Sequence, residues 1–287
     1  MSLLKLSGIF AHELFARKKL QRSTERLKKL STEKIAHATM NGGSILGRVA
    51  PGYLFQTVHI TKTIAQCHNV LDIGCGTGEQ LLQVATVCPN VNFTGIDHSD
   101  FILRKAQEQA DKKGITNINF LKSHAESLKG ISDNSYDGVI STMTLHHLAN
   151  YNQLIQVFGE IKRILIPNGA IYLEDFTLFK SYKTINFFVD KDAPSPRDSF
   201  SELYEASMCA AFPISDLSNA MELVFGDRVK MYFTKPIPFL AVMKTESYPL
   251  TKTQKDYLAN LVSGLSKNQA ADYKDLTTAF RWSGLSL

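Results

Sequence analysis

The sequence predicts an α/β fold built on a mostly parallel β-sheet, on three observations. From residue 68 to about 175, short β-branched and aliphatic runs alternate with helix-length amphipathic segments, the pattern of strands joined by crossover helices. The run Val70-Leu71-Asp72-Ile73 breaks into glycines at alternate positions, Gly74, Gly76 and Gly78, and a helical pattern starts at Gln80. A second apolar run, Val91 to Ile96, ends in Asp97, nineteen residues after Gly78. Glycine suits such a loop because a backbone without Cβ turns tightly and lets a ligand lie against it. An acid at the end of the second strand of a βαβ unit stands where both ribose hydroxyls of a nucleoside can donate to it. The chain therefore carries the mark of a nucleoside-cofactor site.

The remaining elements follow in order. Gly42-Gly43 and Pro51-Gly52 punctuate loops, and a helix is expected over 53–66, with Tyr53, Phe55, His59 and Lys62 as candidates for lining a cleft. Ile118 to Leu121 is a third strand, and Ser135 to Ile140 a fourth, followed by Thr144-Leu145-His146-His147-Leu148. Ile166-Pro167-Asn168-Gly169 turns into a fifth strand over 170–173, which delivers Glu174 and Asp175 to the carboxyl edge of the sheet, where open α/β folds bind ligands. The stretch 178–214 is long for a connection and rich in aromatics, among them Phe187, Phe188, Phe200 and Tyr204. Long ordered insertions at that edge tend to be functional, and a helical cap is expected here, its aromatics serving either a substrate chamber or the cap's own core. A helix over 214–224, strands over 229–233 and 238–243, and a helical tail from 251 with Phe280 and Trp282 complete the chain. The expected organisation is an arm (1–50), a main domain (51–250) and an extension (251–287).

Composition sets wide bounds. A hydrophobic content of 44% is enough for a sizeable globular core. The four cysteines, Cys67, Cys75, Cys88 and Cys209, form no C-x-x-C pair and no metal-ligand spacing, so reduced thiols and no metal are expected. Residues 1–34 hold nine Lys/Arg and three Glu, a net +6 against +5 for the whole chain, so the arm carries all of the net positive charge. The arm also sets Leu3, Leu6, Ile9, Phe10, Leu14 and Phe15, then Leu20, Leu27 and Leu30, at roughly helical intervals. No run approaches the ~20 apolar residues of a membrane span, and the apolar part precedes the basic part, unlike a signal peptide. A cytoplasmic protein is expected. Its arm is either an amphipathic helix packed on the domain or an interfacial helix on the anionic inner membrane surface.

The spacing G-x-G-x-G, with Asp72 two residues ahead of it, differs from the G-x-G-x-x-G of dinucleotide sites. Leu71-Asp72-Ile73-Gly74-Cys75-Gly76-Thr77-Gly78 with Ile96-Asp97 resembles motif I of class I S-adenosylmethionine-dependent methyltransferases. The wording is most similar to the ubiquinone/menaquinone C-methyltransferase-like group of small-molecule enzymes. The resemblance implies a Rossmann-like, seven-stranded, mostly parallel sheet with an antiparallel last strand, here with a helical N-terminal arm and a helical cap insertion. It implies S-adenosylmethionine as cofactor and S-adenosylhomocysteine (SAH) as product. It places the cofactor against Asp72, Gly74, Cys75, Gly76, Gly78, Asp97, His98, His124, Ala125 and Ser141. Ser123-His124-Ala125-Glu126 looks like the family's Gly-Asp-Ala-Glu segment with His124 in place of the aspartate, and a neutral imidazole accepts only one hydrogen bond.

Methyl transfer from a sulfonium is an in-line displacement that needs positioning and a dry site. A base is needed only where the acceptor must lose a proton, and His146 or His147 is the candidate. Ser141-Thr142-Met143-Thr144 occupies the place of Asn-Pro-Pro-Tyr, which argues against adenine or glutamine N-methylation. The expected partner is a small-molecule methyl acceptor under the cap. A membrane-docked enzyme on a quinone-like or lipid substrate is the alternative. An RNA methyltransferase is less favoured, and a non-catalytic S-adenosylmethionine-binding protein would fit His124.

Overall fold

The central strand, Asn69–Ile73 (β1), is apolar on both faces because it is covered on both: Val70, Leu71 and Ile73 are fully buried. A computed structural model describes residues 3–16, 20–41, 47–191 and 193–286; Arg17, Lys18, Lys19, the Gly42-Gly43 pair and the side chains of Leu3 and Leu6 lie outside the described residues. Around β1 stand Asn92–Asp97 (β2), Ile118–Lys122 (β3), Tyr136–Thr142 (β4), Leu165–Phe176 (β5), Lys230–Phe233 (β6) and Leu240–Lys244 (β7). Their order is β3-β2-β1-β4-β5-β7-β6, parallel throughout except for β7, which runs antiparallel to both its neighbours. The sheet is the seven-stranded, Rossmann-like one expected.

Alternate residues along each strand feed two cores. Phe93, Ile140, Tyr172 and Val242 pack with the helices Ala50–Thr63 (α4) and Glu79–Val87 (α5). Leu71, Ile73, Val139, Ile171 and Leu173 pack with Tyr151–Ile164 (α7) and Ile214–Phe225 (α10) on the opposite face. The remaining crossover helix, Asp100–Lys113 (α6), starts at Ser99, whose hydroxyl accepts from the Ile102 N–H, and stops at Gly114 in the left-handed conformation.

β5 is longer than the expected 170–173. It begins at Leu165 and loops out over 166–169, with Asn168 at a positive φ and the register against β4 slipping between Tyr136 and Gly138. The polar turn chemistry is real, but pairing resumes on both sides of it.

The insertion folds as two helices, Tyr182–Asp190 (α8) and Ser199–Ala210 (α9), capped by Ser181 and Asp198. The N-terminal helices Leu3–Phe15 (α1), Glu25–Lys28 (α2) and Thr32–Asn41 (α3) lie against them. Leu27 buries on Ala206 and Ala210 of α9, Lys34 pairs with Glu202 at 2.5 Å, and Arg26 meets Glu205. Part of the arm's positive charge is thus spent on the cap, and α1 buries Ile9 and Glu13 there. The tail forms Lys252–Ser263 (α11) and Lys267–Arg281 (α12), each started by a capping box. Phe280 of α12 stacks on Phe55 of α4 at 4.7 Å, which fixes the tail to the main domain. Among the described residues, no helix is long and apolar enough to cross a membrane.

Candidate active site

A cavity of about 1190 Å³ opens over the carboxyl ends of β1, β2, β4 and β5. Its floor is the glycine loop. Gly74, Gly76 and Gly78 have φ of +74°, +56° and +84°, values that side-chain-bearing residues rarely adopt. The amides of Gly74 and Cys75 both donate to the Ile96 carbonyl at 2.8 and 2.9 Å, tying the loop to the end of β2. The three glycines serve different ends. A Cβ on Gly74 would overlap the Thr144 side chain; one on Gly76 would meet nothing within 4 Å, leaving open cavity. Gly78 does not line the cavity: it caps α5 and lies 3.3 Å from Ala106 by its would-be Cβ, so its role is helix packing. Gly74→Ala is expected to cost roughly 2–4 kcal/mol, from left-handed strain and overlap together. Denaturant melts check this, and a loss below about 1 kcal/mol would refute the account.

Two acids, Asp72 and Asp97, line this floor. Asp97 keeps Oδ1 on the Ser99 N–H at 2.9 Å, and Oδ2 has no partner among the described residues. Asp72 is buried, lines the cavity and makes no side-chain hydrogen bond among the described residues. Burial, with Asp97 adding to it, raises its pKa to about 7. Cys75 lines the cavity, but burial, then Asp72 and Asp97, push its thiol well up, so it is no nucleophile. The Thr77 hydroxyl is a buried cavity-wall oxygen with no partner among the described residues. His98 and His124 reach the wall from neighbouring loops with ring centroids 6.3 Å apart, and Ala125 joins them.

Ser141, like Gly78, stands apart from the other expected cofactor contacts. Its side chain is 1% exposed, its hydroxyl donates to the Ile73 carbonyl at 2.8 Å, and it does not line the cavity. Of the α4 candidates only Tyr53 lines the cavity. Phe55 and His59 are buried with ring centroids 4.4 Å apart, on the side of α4 where Phe55 stacks on Phe280 of α12.

His146 and His147 sit in the turn after β4, rings 4.4 Å apart, both on the cavity wall. Their environments differ. His146 Nδ1 lies 2.7 Å from Asp175 Oδ1, and its backbone N–H donates to Asp175 Oδ2 at 3.0 Å. Asp175 is also held by the Phe176 N–H at 2.7 Å. A carboxylate in that place accepts, so Nδ1 carries the proton and Nε2 presents a lone pair. Nε2 has no partner among the described residues. His147 turns its exposed surface to the cavity. Desolvation by the surrounding wall, then His146, lower its pKa against the opposing pull of Asp175, and among the described residues no carboxylate fixes its tautomer as Asp175 fixes that of His146.

Sequence reasoning singled out the histidines and missed their partner: Asp175 was visible only as a residue at a strand end. Glu174, expected at the same sheet edge, receives hydrogen bonds on its carboxyl from the Tyr172 hydroxyl and, at 3.1 Å, from Gln56 Nε2. Burial raises the Glu174 pKa to about 7, against the pull of those two donors. The cavity roof comes from three distant segments: Leu27, Leu30 and Ile35 of the arm, Phe200 and Tyr204 of α9, and Leu276 of α12.

Residues 65–240 match the model of a family described as a methyltransferase domain. The chain belongs to that family. A demethylmenaquinone methyltransferase from Listeria welshimeri is 31% identical over 104 residues, which is 36% of this chain and 42% of that one. A sterol 24-C-methyltransferase from Pneumocystis carinii is 28% identical over 120 residues, 42% of this chain and 30% of that one. The matched segments span between 30% and 58% of the curated relatives' own lengths. The structure of the plantazolicin methyltransferase BpumL in complex with SAH superposes with a TM-score of 0.57 at 14% identity, covering 85% of this chain and 98% of that one. At that identity the likeness concerns the fold. The methyltransferase domain thus holds the glycine loop, both acids and the His146–Asp175 pair, while the arm and α12 lie outside the matched residues.

S-adenosylmethionine fits this donor set. Its ammonium and sulfonium are cations, and Asp72 is a buried acid without a hydrogen-bond partner among the described residues. Its ribose hydroxyls suit the free oxygen of Asp97, and the open space over Gly76 admits a ligand against backbone.

Proposed function

We propose that this methyltransferase moves a methyl group from S-adenosylmethionine to an ionisable hydroxyl of a small, largely apolar acceptor held beneath the cap. The observation that carries the acceptor class is the His146–Asp175 pair, a buried imidazole whose tautomer is fixed and whose Nε2 opens on the cavity. The cofactor, when bound, supplies an electrophilic methyl carbon on a cationic sulfur. Asp97 holds the ribose and Asp72 the cationic amino-acid end. His146 Nε2 takes the acceptor's proton, and Asp175 stabilises the imidazolium that results. The apolar roof from the arm, α9 and α12 keeps water from the reacting pair. The test is transfer of labelled methyl to a panel of hydroxylated aromatic and enolic compounds. Transfer that is lost in His146→Gln supports the reading; transfer only to amines or thiols, or none at all, overturns it.

A pH dependence follows from Asp72. Its pKa is raised from the ordinary carboxylate value to about 7, so between about pH 4 and 7 the folded protein binds a proton that the unfolded chain has released. Stability of the ligand-free protein therefore falls as pH rises through that window. A cation set against Asp72 favours the carboxylate, so affinity for S-adenosylmethionine is expected to rise from about pH 5.5 to about 7.5, with proton release on binding. Calorimetry in two buffers of different ionisation enthalpy measures the proton count; uptake near pH 6 would contradict the assignment.

A second reading, docking on an anionic membrane surface to reach a lipophilic acceptor, is supported by Leu14 and Phe15, which are 52% and 76% exposed at the end of α1 and precede Arg17, Lys18 and Lys19 in sequence. Co-sedimentation with anionic but not neutral vesicles would support it; no co-sedimentation with either would remove it.

A further inference from the structure

The turn that carries His146 is held from outside the matched domain. Residues 20–24 of the arm run between the two ends of the cap: the Leu20 N–H donates to the Lys180 carbonyl at 2.8 Å, and the Ser23 N–H to the Cys209 carbonyl at 2.9 Å. Between these anchors the Arg22 side chain descends to the turn. Nη1 donates to the Ala149 carbonyl at 2.8 Å, and Nη2 to the carbonyls of His146, at 3.1 Å, and of Leu148. The guanidinium lies over the Phe212 ring at 3.9 Å from its centroid. One planar fork thus satisfies three carbonyls of a short 3₁₀ turn (Leu145–His147 and its flank), whose last carbonyls have no helical partner of their own.

We propose that Arg22 is the positioning residue for the base: it locks the 146–149 turn so that the His146 ring stays on Asp175, and it makes that lock depend on the arm being seated over the cavity. The proposal rests on His146 acting as the base. Leu27, Leu30 and Ile35, a few residues beyond Arg22, form part of the cavity roof. Closing the roof over an acceptor and seating the base are therefore one event, and lifting the segment breaks three hydrogen bonds to the turn at once. Arg22 touches neither the cavity nor the expected reacting atoms; its effect runs through the turn. Lysine cannot replace it, because an ammonium offers a point charge in place of a fork matched to three carbonyls.

The test reads the turn directly in full-length, ligand-free protein, so it does not wait for an acceptor. ¹⁵N-imidazole spectra, assigned with His146→Gln, report the tautomer of His146 and the exchange of its Nδ1–H with water; amide hydrogen exchange reports residues 145–149. In Arg22→Met, which keeps apolar bulk over Phe212, amide exchange of the turn is expected to accelerate about 10- to 100-fold and the slowly exchanging Nδ1–H signal to be lost. Arg22→Lys is expected to fall between Met and wild type, and it decides the matter should the Met variant fail to fold. Exchange and an Nδ1–H signal equal to wild type in a folded Arg22 variant would overturn the proposal. A wild-type His146 protonated on Nε2 would instead overturn the base assignment itself, while the exchange data still answer for Arg22.

Discussion

Asp97→Ala is expected to weaken S-adenosylmethionine binding by roughly 10²–10³-fold, the loss of two hydrogen bonds to a charged acceptor. The size of the effect comes from where β2 ends. Asp97 is the last residue of that strand, its side chain is 11% exposed on the cavity side, and one oxygen is already pinned by the Ser99 N–H. The carboxylate is therefore held in place before the ligand arrives, and little rotamer entropy opposes binding. Its removal also frees the Ser99 amide, a cost to the fold of about 1 kcal/mol at most, so the variant stays folded and the loss appears in affinity. Asp97→Asn keeps an acceptor and loses the charge, and an intermediate affinity is expected. Calorimetry with S-adenosylmethionine, SAH and NAD measures all of these. Undiminished binding in Asp97→Ala, or tight binding of NAD, would overturn the assignment of the cofactor site.

Asp175→Asn is expected to lower kcat by about 10²–10⁴-fold with cofactor affinity nearly unchanged. Asp175 accepts three hydrogen bonds, from His146 Nδ1, the His146 N–H and the Phe176 N–H. The two amides lie on different oxygens, so an asparagine whose oxygen keeps the His146 N–H presents its NH₂ to Nδ1 and leaves the Phe176 N–H without its acceptor. That reverses the tautomer: the proton moves to Nε2, and the lone pair that faces the cavity is gone. The change is nearly isosteric, so packing around the turn is retained. His146→Gln is expected to lose a comparable factor, and the double variant no more than the worse single, because the two residues act as a unit. Rates within about threefold of wild type would mean that the acceptor needs no base. His147→Gln serves as the contrast, with a small expected effect, since among the described residues His147 has no carboxylate partner of the kind that orients His146.

The reach of the sequence differs between these two sites for a physical reason. The cavity floor is written in two short windows. Asp72, the alternating glycines and Asp97 sit within 26 residues, and the local backbone geometry of strand, tight loop and strand end places them almost unaided. The parallel sheet follows from the same windows, because apolar runs separated by amphipathic helices pack in few ways. Exceptions are instructive: Gly78 fits the motif but serves packing against α6, and Ser141 is turned back to the Ile73 carbonyl, since residues on β4 alternate in direction and the next one, Thr142, takes the cavity side.

The acceptor side is assembled from residues that no window contains together. Asp175 meets His146 across 29 positions, Gln56 meets Glu174 across 118, and Arg22 meets the His146 carbonyl across 124. Read as charge and periodicity, the basic arm fits either a helix packed on the domain or an interfacial helix on anionic lipid. Its placement depends on Leu27 finding Ala206 and Ala210 and on Lys34 and Arg26 finding Glu202 and Glu205. The sequence by itself therefore determined the fold class, the glycine-loop floor of the cavity and the pair of histidines, because those depend on local backbone preference and short-range patterning. The partner of His146, the roof of the cavity and the arm's hold on the turn were decided by tertiary packing, which alone sets distances between segments a hundred residues apart.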